Sequence, residues 1–356
     1  MEKKLKILFL PFDIASKGAI TIDALNRIPG IEAKGFFVNK NKKITTTDSA
    51  EYFEIVSFKK QPIKWVKVYL FKIKRVYELL KWADVLHWIW DSGFAGDIDL
   101  KIAKKLGKKG VIEWSGSDIR YPDRAIQINP YAKVTYNDKY EFAHIETFEN
   151  SERRQKKFFK IGFYPLVTAE MDLYVNRNIF SKTYRTLHRL NVNDFEMRLS
   201  SNTVPLIVHS PTSRVGKGTK YVLAAINQLK EKYNFEFRLI ENMSREQAFE
   251  SVKECDIFID QLLTGTYGMA SCEAMSMGKP VICYIMKSVF ENGLPEACPV
   301  INANIDNLVQ QIEMLIVNSE LRIEVGKKSR AYAENYLDVN VQALKLVKMY
   351  RGILID

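Results

Sequence analysis

The chain has 356 residues, too many for one ordinary core and about right for two domains of roughly 150 residues each with their connections. Apolar residues make up 47% and aromatics 12%, which excludes an intrinsically disordered chain. The formal charge of +11 is lopsided, +9 within residues 1–175 and +2 within 176–356, so the basicity belongs to the first half.

The opening stretch "MEKKLKILFLPFD" has an apolar run of only six residues before Asp13, and nothing later approaches about 18 uninterrupted apolar residues. A soluble, unexported protein is expected, cytoplasmic and able to work at the inner face of the cell membrane. Cys255, Cys272, Cys283 and Cys298 form no CxxC pair and no Cys/His cluster, which fits reduced cytoplasmic thiols.

In chain order, "KILFLP", "AKGFFV", "DVLHWIW" and "GVIEWS" read as strands, with helical stretches near 18–28, 62–82 and 97–107 between them. Within "KKQPIKWVKVYLFKIKRVYELLKW" (59–82), Lys60, Lys64, Lys67, Lys74 and Lys81 follow one helical face, and Trp65, Tyr69, Ile73, Val76 and Leu80 line the other. Such a helix packs on a sheet with its lysines solvated, or lies on an anionic membrane, and the two are compatible. Residues 176–203 have weak periodicity and many polar side chains and are expected to be a linker.

Beyond it the pattern is cleaner. "PLIVH" (205–209), "FEFRLI" (235–240), "IFIDQ" (257–261) and "VICYI" (281–285) read as strands. Helices are expected over 219–232, from a Ser244/Gln247 capping box to about Cys255, and from Gly268 to Met277 with Gly278 as its stop. Strand and helix alternate strictly, which predicts an α/β fold of two Rossmann-like, doubly wound parallel sheets, with ligands at the carboxyl ends of their strands. The stretch 329–355 reads as helix with a stripe through Val341, Leu344, Val347 and Tyr350. The expected division is 1–175, an acceptor-side domain; 176–203, the linker; 204–330, a donor-binding domain; and 331–356, a helix returning to the first domain.

Two loops carry the chemistry. "SPTSRVGKGTKY" (210–221) brings Arg214, Lys217 and Lys220 to a helix start where Gly216 and Gly218 allow close approach, an anion site in the making. "TGTYGMAS" (264–271) starts a second helix whose first-turn N–H groups can face a phosphate, with Glu273 one turn further in. Paired anion sites suit a diphosphate, and the neighbouring carboxylate suits a ribose hydroxyl pair.

"HSPTSRVGKGTKYVLAAINQL" followed by "YGMASCEAMSMGKPVICY" resembles the donor-binding half of GT-B glycosyltransferases of family 4, retaining enzymes that use nucleotide sugars. The resemblance implies a GT-B fold, with Arg214 and Lys217 on the donor diphosphate and Glu273 on the ribose. Tyr267, Gly268, Met269 and Ala270 would border the same site, and Asn242 and Met243 of "ENMSR" would contact the base. Gly265 stands where the family's other motif glutamate touches the sugar, so sugar selectivity does not carry over. "EWSGSDIR" (113–120) has Trp114 or Ser115 where the family often has a histidine. Acceptor-side candidates are Lys17, Gly18, His87, Ser117, Asp118 and Arg120, with Asp118 expected to join Arg214 and Lys217 in catalysis, although a lone His87 beside two tryptophans also suits a satisfied core residue.

"GDIDL" spells a DxD pattern with Asp97 and Asp99, but acids in the first turn and lysines in the last are ordinary dipole matching. No metal and no cofactor are expected beyond a UDP- or GDP-type sugar as co-substrate. Nucleic acid is not expected as a partner, because no recognition motif accompanies the basic half. The expected function is glycosyl transfer to a glycan or lipid-linked acceptor in cell-surface polysaccharide or glycoconjugate synthesis. The alternatives are a nucleotide-sugar epimerase and a non-catalytic sugar-nucleotide-binding protein.

Overall fold

The computed structural model describes residues 4–38, 45–53, 56–138, 140–199 and 202–355, so Ser200 and Ser201 of the expected linker lie outside the described residues. The first sheet comprises β1 (Leu5–Leu10), β2 (Ile31–Phe37), β3 (Ala50–Tyr52), β4 (Val85–Ile89), β5 (Lys109–Trp114), β6 (Tyr164–Val167) and β7 (Tyr184–Arg185), in the order β3-β2-β1-β4-β5-β6-β7. The second comprises β8 (Leu206–His209), β9 (Glu236–Leu239), β10 (Ile257–Ile259), β11 (Val281–Cys283) and β12 (Ile301–Asn302), in the order β12-β11-β10-β8-β9. Every pairing in both is parallel. Strand order reverses at β1/β4 and at β8/β10, the switch points where open α/β sheets bind ligands.

The local rules are visible at the helix ends. The Arg245–Glu254 helix opens with the Ser244/Gln247 capping box complete. The Met269–Ser276 helix closes with Gly278 at φ 73°, its N–H reaching the Met275 carbonyl while that of Lys279 reaches Ala274. This is a Schellman ending, which a glycine makes without strain.

Two expectations need revising. The first sheet continues past residue 175, because β7 adds its edge strand from within the stretch read as linker. The Val339–Ile355 helix does return to the first sheet, but it buries Val339, Ala343, Leu346, Val347, Tyr350 and Ile353 against Ile7, Phe9, Ile22 and Leu25. Leu344, placed on the stripe by sequence, is 62% exposed. Both stripes share Val347 and Tyr350, and only packing chooses between them.

The Pro62–Trp82 helix buries Val76, Leu79 and Leu80 in its second half. Its first half stands out, with Ile63 74% and Leu70 61% exposed among the lysines. Among the described residues no helix is long and apolar enough to cross a membrane.

Candidate functional site

A cavity of about 280 Å³ lies between the carboxyl ends of the two sheets. Ile14, Ala15 and Lys17 come to it from the segment after β1, Ser115 and Arg120 from that after β5, and Thr168 and Glu170 from that after β6. The second sheet supplies Ser213, Gly216 and Lys217 after β8, and Gln261 to Met269 in part after β10. His188 enters from the crossing between the sheets.

Of the residues expected to hold a donor, Lys217, Tyr267, Gly268 and Met269 line the cavity. The Lys217 ammonium is paired with the buried carboxylate of Asp260, which also accepts from the Ser271 hydroxyl and from the Gly268 N–H at 3.2 Å. Although burial pushes the Asp260 carboxyl up, Lys217 and these donors hold it below the usual range. Tyr267 contributes little side-chain polarity, since its buried hydroxyl meets that of Tyr332 at 3.0 Å.

Arg214 departs from expectation. It does not line the cavity but is 59% exposed and forms a two-pronged ion pair with Glu241, at 2.6 and 2.5 Å. The loop sequence shows three adjacent cations, whereas each has its own carboxylate here: Arg214 with Glu241, Lys217 with Asp260, Lys220 with Asp138. Asn242 and Met243 sit exposed after β9, Asn242 with a left-handed φ of 55°. Ala270 is half-buried at the helix start.

Glu273 answers differently from a core acid. Its side chain is 35% exposed, and the Arg245 guanidinium stands 4.0 Å away, beyond a hydrogen bond. Burial raises its carboxyl above the usual value despite Arg245. Gly265 has φ +87°, and a Cβ there would fall 2.6 Å from Met286, so a glutamate does not fit this turn.

The residues expected to face an acceptor are placed as follows. Lys17 reaches Glu113 at 3.1 Å and Ser115 at 2.9 Å, using two of its three donors at the cavity wall. Gly18 donates to Asp13 at 2.7 Å, and a side chain at Gly18 would meet Phe37 at 2.7 Å. Arg120 bridges Glu146 and Glu170, both at 3.3 Å, and Ser117 donates to Glu146 at 2.9 Å.

His87 and Asp118 are corrections. His87 lies fully buried in β4, stacked on Phe9 and bonded to Glu113 and Tyr350, so it ties the returning helix to the sheet rather than facing a ligand. Asp118 is 1% exposed and accepts N–H bonds from Ser115, Gly116 and Ile119, so its carboxylate holds a turn and is not available for catalysis.

Sequence reasoning missed Glu113, Asp260, Glu170 and His188. The first two were readable as acids inside apolar strand patterns, where a buried charge demands a partner. Glu113 gathers Lys17, His87 and Arg189, which hold it well below the usual carboxylate range against the upward push of burial. Asp99 accepts from Gly93 and Leu100, and Asp97 pairs with Lys157 at 2.9 Å. Among the described residues no group of three or more His, Cys, Asp and Glu is placed to hold a metal ion.

No family model matches the sequence, and no curated protein is significantly similar to it. Solved structures do match over nearly the whole chain. A glycosyltransferase from Rickettsia africae ESF-5 covers 99% of this chain and 99% of its own, with a TM-score of 0.63 at 16% identity. HepE of Anabaena, in complex with UDP and glucose, covers 98% and 100%, with 0.57 at 10% identity. A putative UDP-N-acetylglucosamine 2-epimerase from Listeria monocytogenes covers 98% and 95%, with 0.51 at 13% identity. At these identities the likeness speaks for architecture, and the two facing doubly wound sheets of this chain have the GT-B fold.

Proposed function

We propose that the protein is a glycosyltransferase that moves a sugar from a nucleoside-diphosphate sugar to a glycan or lipid-linked acceptor, with retention and without a metal. One observation carries the reading. A cavity at the switch points of both sheets joins Lys217 to the N–H groups opening the Met269–Ser276 helix. The likeness to HepE, solved with UDP and glucose, supports a nucleotide sugar there.

In this reading the diphosphate lies along Lys217, Met269 and Ala270, which balance the negative charge that grows as the nucleoside diphosphate departs. Glu273 takes the ribose hydroxyls with its half-exposed carboxylate, and the Asn242–Met243 turn faces the base. The acceptor hydroxyl attacks the anomeric carbon from the face the leaving group vacates. Its proton passes to the departing phosphate oxygen, and no protein nucleophile is required. Lys17 and Arg120 border the opposite wall, where acceptor hydroxyls would be held. The outward Ile63 and Leu70 among lysines support an acceptor presented at an anionic membrane.

Epimerase chemistry is the second reading, favoured by the Listeria likeness. A thermal-shift screen with UDP, GDP, ADP, CMP and TDP compounds tests the donor site, since selective binding stabilises the folded state. Radiolabelled donor then separates the readings. Label transferred to an acceptor supports the transferase, a changed sugar nucleotide without acceptor supports the epimerase, and no turnover leaves a binding protein.

A further inference from the structure

A second cavity, of about 290 Å³, lies in the first domain, outside the cleft described above. It sits at the carboxyl edge of the first sheet. Phe12 comes to it from the segment after β1, Val38 from that after β2, and Phe94 from that after β4. The first half of the Pro62–Trp82 helix covers it with Trp65, Val68 and Tyr69.

The wall is aromatic and held in place. Trp65 stacks on Tyr69 with ring centroids 4.7 Å apart, Tyr69 meets Phe94 at 5.9 Å, and Phe94 stacks on Phe36 at 6.1 Å. The Tyr69 hydroxyl donates to the Ala95 carbonyl at 3.2 Å, so its polar end is already satisfied. Phe12, Trp65, Val68 and Tyr69 are half-buried, which leaves the cavity open to an entering group.

Size, charge and position together choose the occupant. An engineered apolar cavity of about 150 Å³ holds benzene, so this one has room for a chain of roughly ten carbons. The same half-helix exposes Lys64 and Lys67 between the outward Ile63 and Leu70. Lysine is depleted at the core of protein interfaces, whereas lysine mixed with apolar side chains suits an anionic lipid surface. Phe12 lines this cavity and Ile14 lines the cleft between the sheets. Two residues of chain reach about 7 Å at most, so a molecule with its tail in the cavity and its head in the cleft needs no long linker.

We propose that this cavity takes the hydrocarbon tail of a lipid-linked acceptor and directs its head to Lys17 and Arg120 in the cleft, so that the acceptor is a lipid rather than a free glycan. The role of that lipid as acceptor rests on the transferase reading above. Calorimetry with n-alkyl phosphates from butyl to dodecyl, each below its critical micelle concentration, reads the tail directly, with inorganic phosphate as the blank. Affinity should rise by up to about 4-fold per methylene while the chain fills the cavity, and level off at roughly ten carbons. Val68→Phe puts a ring into the space and should flatten the series. Ala95→Leu, on another wall, serves should the first variant fail to fold. Leu70→Ser, on the outer face, should leave the series unchanged.

A series that never levels off, or that flattens equally in Leu70→Ser, places the chain on the exposed face of the helix and overturns the proposal. Sedimentation with anionic vesicles but no binding of any alkyl phosphate reduces the helix to a surface contact and also overturns it, leaving the transferase reading intact. If the series behaves as expected but no compound of the nucleotide screen binds, the transferase reading fails, and the lipid loses its role as acceptor.

Discussion

Replacing Lys217 with alanine separates what that side chain does for the fold from what it does for the reaction. Lys217 is 12% exposed and its partner Asp260 1%, so the substitution strands a carboxylate in the interior. Removing one partner of a buried pair costs about 3–5 kcal/mol. Asp260 keeps the Ser271 hydroxyl and the Gly268 N–H, which argues for the low end, about 3 kcal/mol. At the sensitivity typical of domains of this size, the variant should melt roughly 6–12 °C lower. Adding Asp260→Asn removes the stranded charge while an amide oxygen still accepts from both donors, so most of the loss should return. Turnover behaves differently. kcat/KM should fall on the order of 10²-fold in Lys217→Ala and stay low in the double variant, because the diphosphate still lacks its cation. Thermal melts paired with initial rates on the donor found by screening measure both. Arg214→Ala and Lys220→Ala are the controls, since both side chains are more than half exposed and should leave melting and turnover close to wild type. A wild-type melting curve for Lys217→Ala would mean that water screens the pair, and recovered turnover in the double variant would confine Lys217 to the fold.

Glu273→Gln should weaken nucleoside-diphosphate binding roughly tenfold at unchanged melting temperature, as for a lost charged acceptor. A lower melting temperature with unchanged affinity would make Glu273 structural. Burial raises the Asp13 carboxyl from 3.8 to about 6, so its contribution to stability is full below the unfolded value and is lost as pH rises through about 6. Wild type should therefore lose up to about 3 kcal/mol relative to Asp13→Asn between pH 4 and 7, and parallel pH profiles would refute the assignment. Changing Lys60, Lys64 and Lys67 to Glu should abolish salt-sensitive sedimentation with anionic vesicles, each lysine being worth about 1 kcal/mol at such a surface. Sedimentation equal to wild type would remove the membrane reading.

Apolar runs long enough to be buried on both faces made the central strands legible, and the Ser244 and Gly278 signals marked helix ends where they occur. The edges of the first sheet were not legible. β3 and β7 are three and two residues long, and Pro165 interrupts the pattern of β6. At the site, loop sequence located Lys217 and the Gly268–Met269 turn because glycine and cations at a helix start act locally. It misjudged Arg214 and Asp118, whose roles depend on Glu241 and on a turn's own N–H groups. His188 carried no local signal, because its importance comes from which wall the crossing segment faces.

The returning helix has a consequence for biosynthesis. Residues 339–355 supply part of the interior of the first sheet, and His87 in β4 bonds to Tyr350. A growing polypeptide emerges with β1 to β7 complete but with Ile7, Phe9 and Ile22 uncovered until the second sheet has also been made. Of the two domains the one made first is thus the last to close, and its uncovered apolar face is the aggregation-prone surface of the unfinished chain.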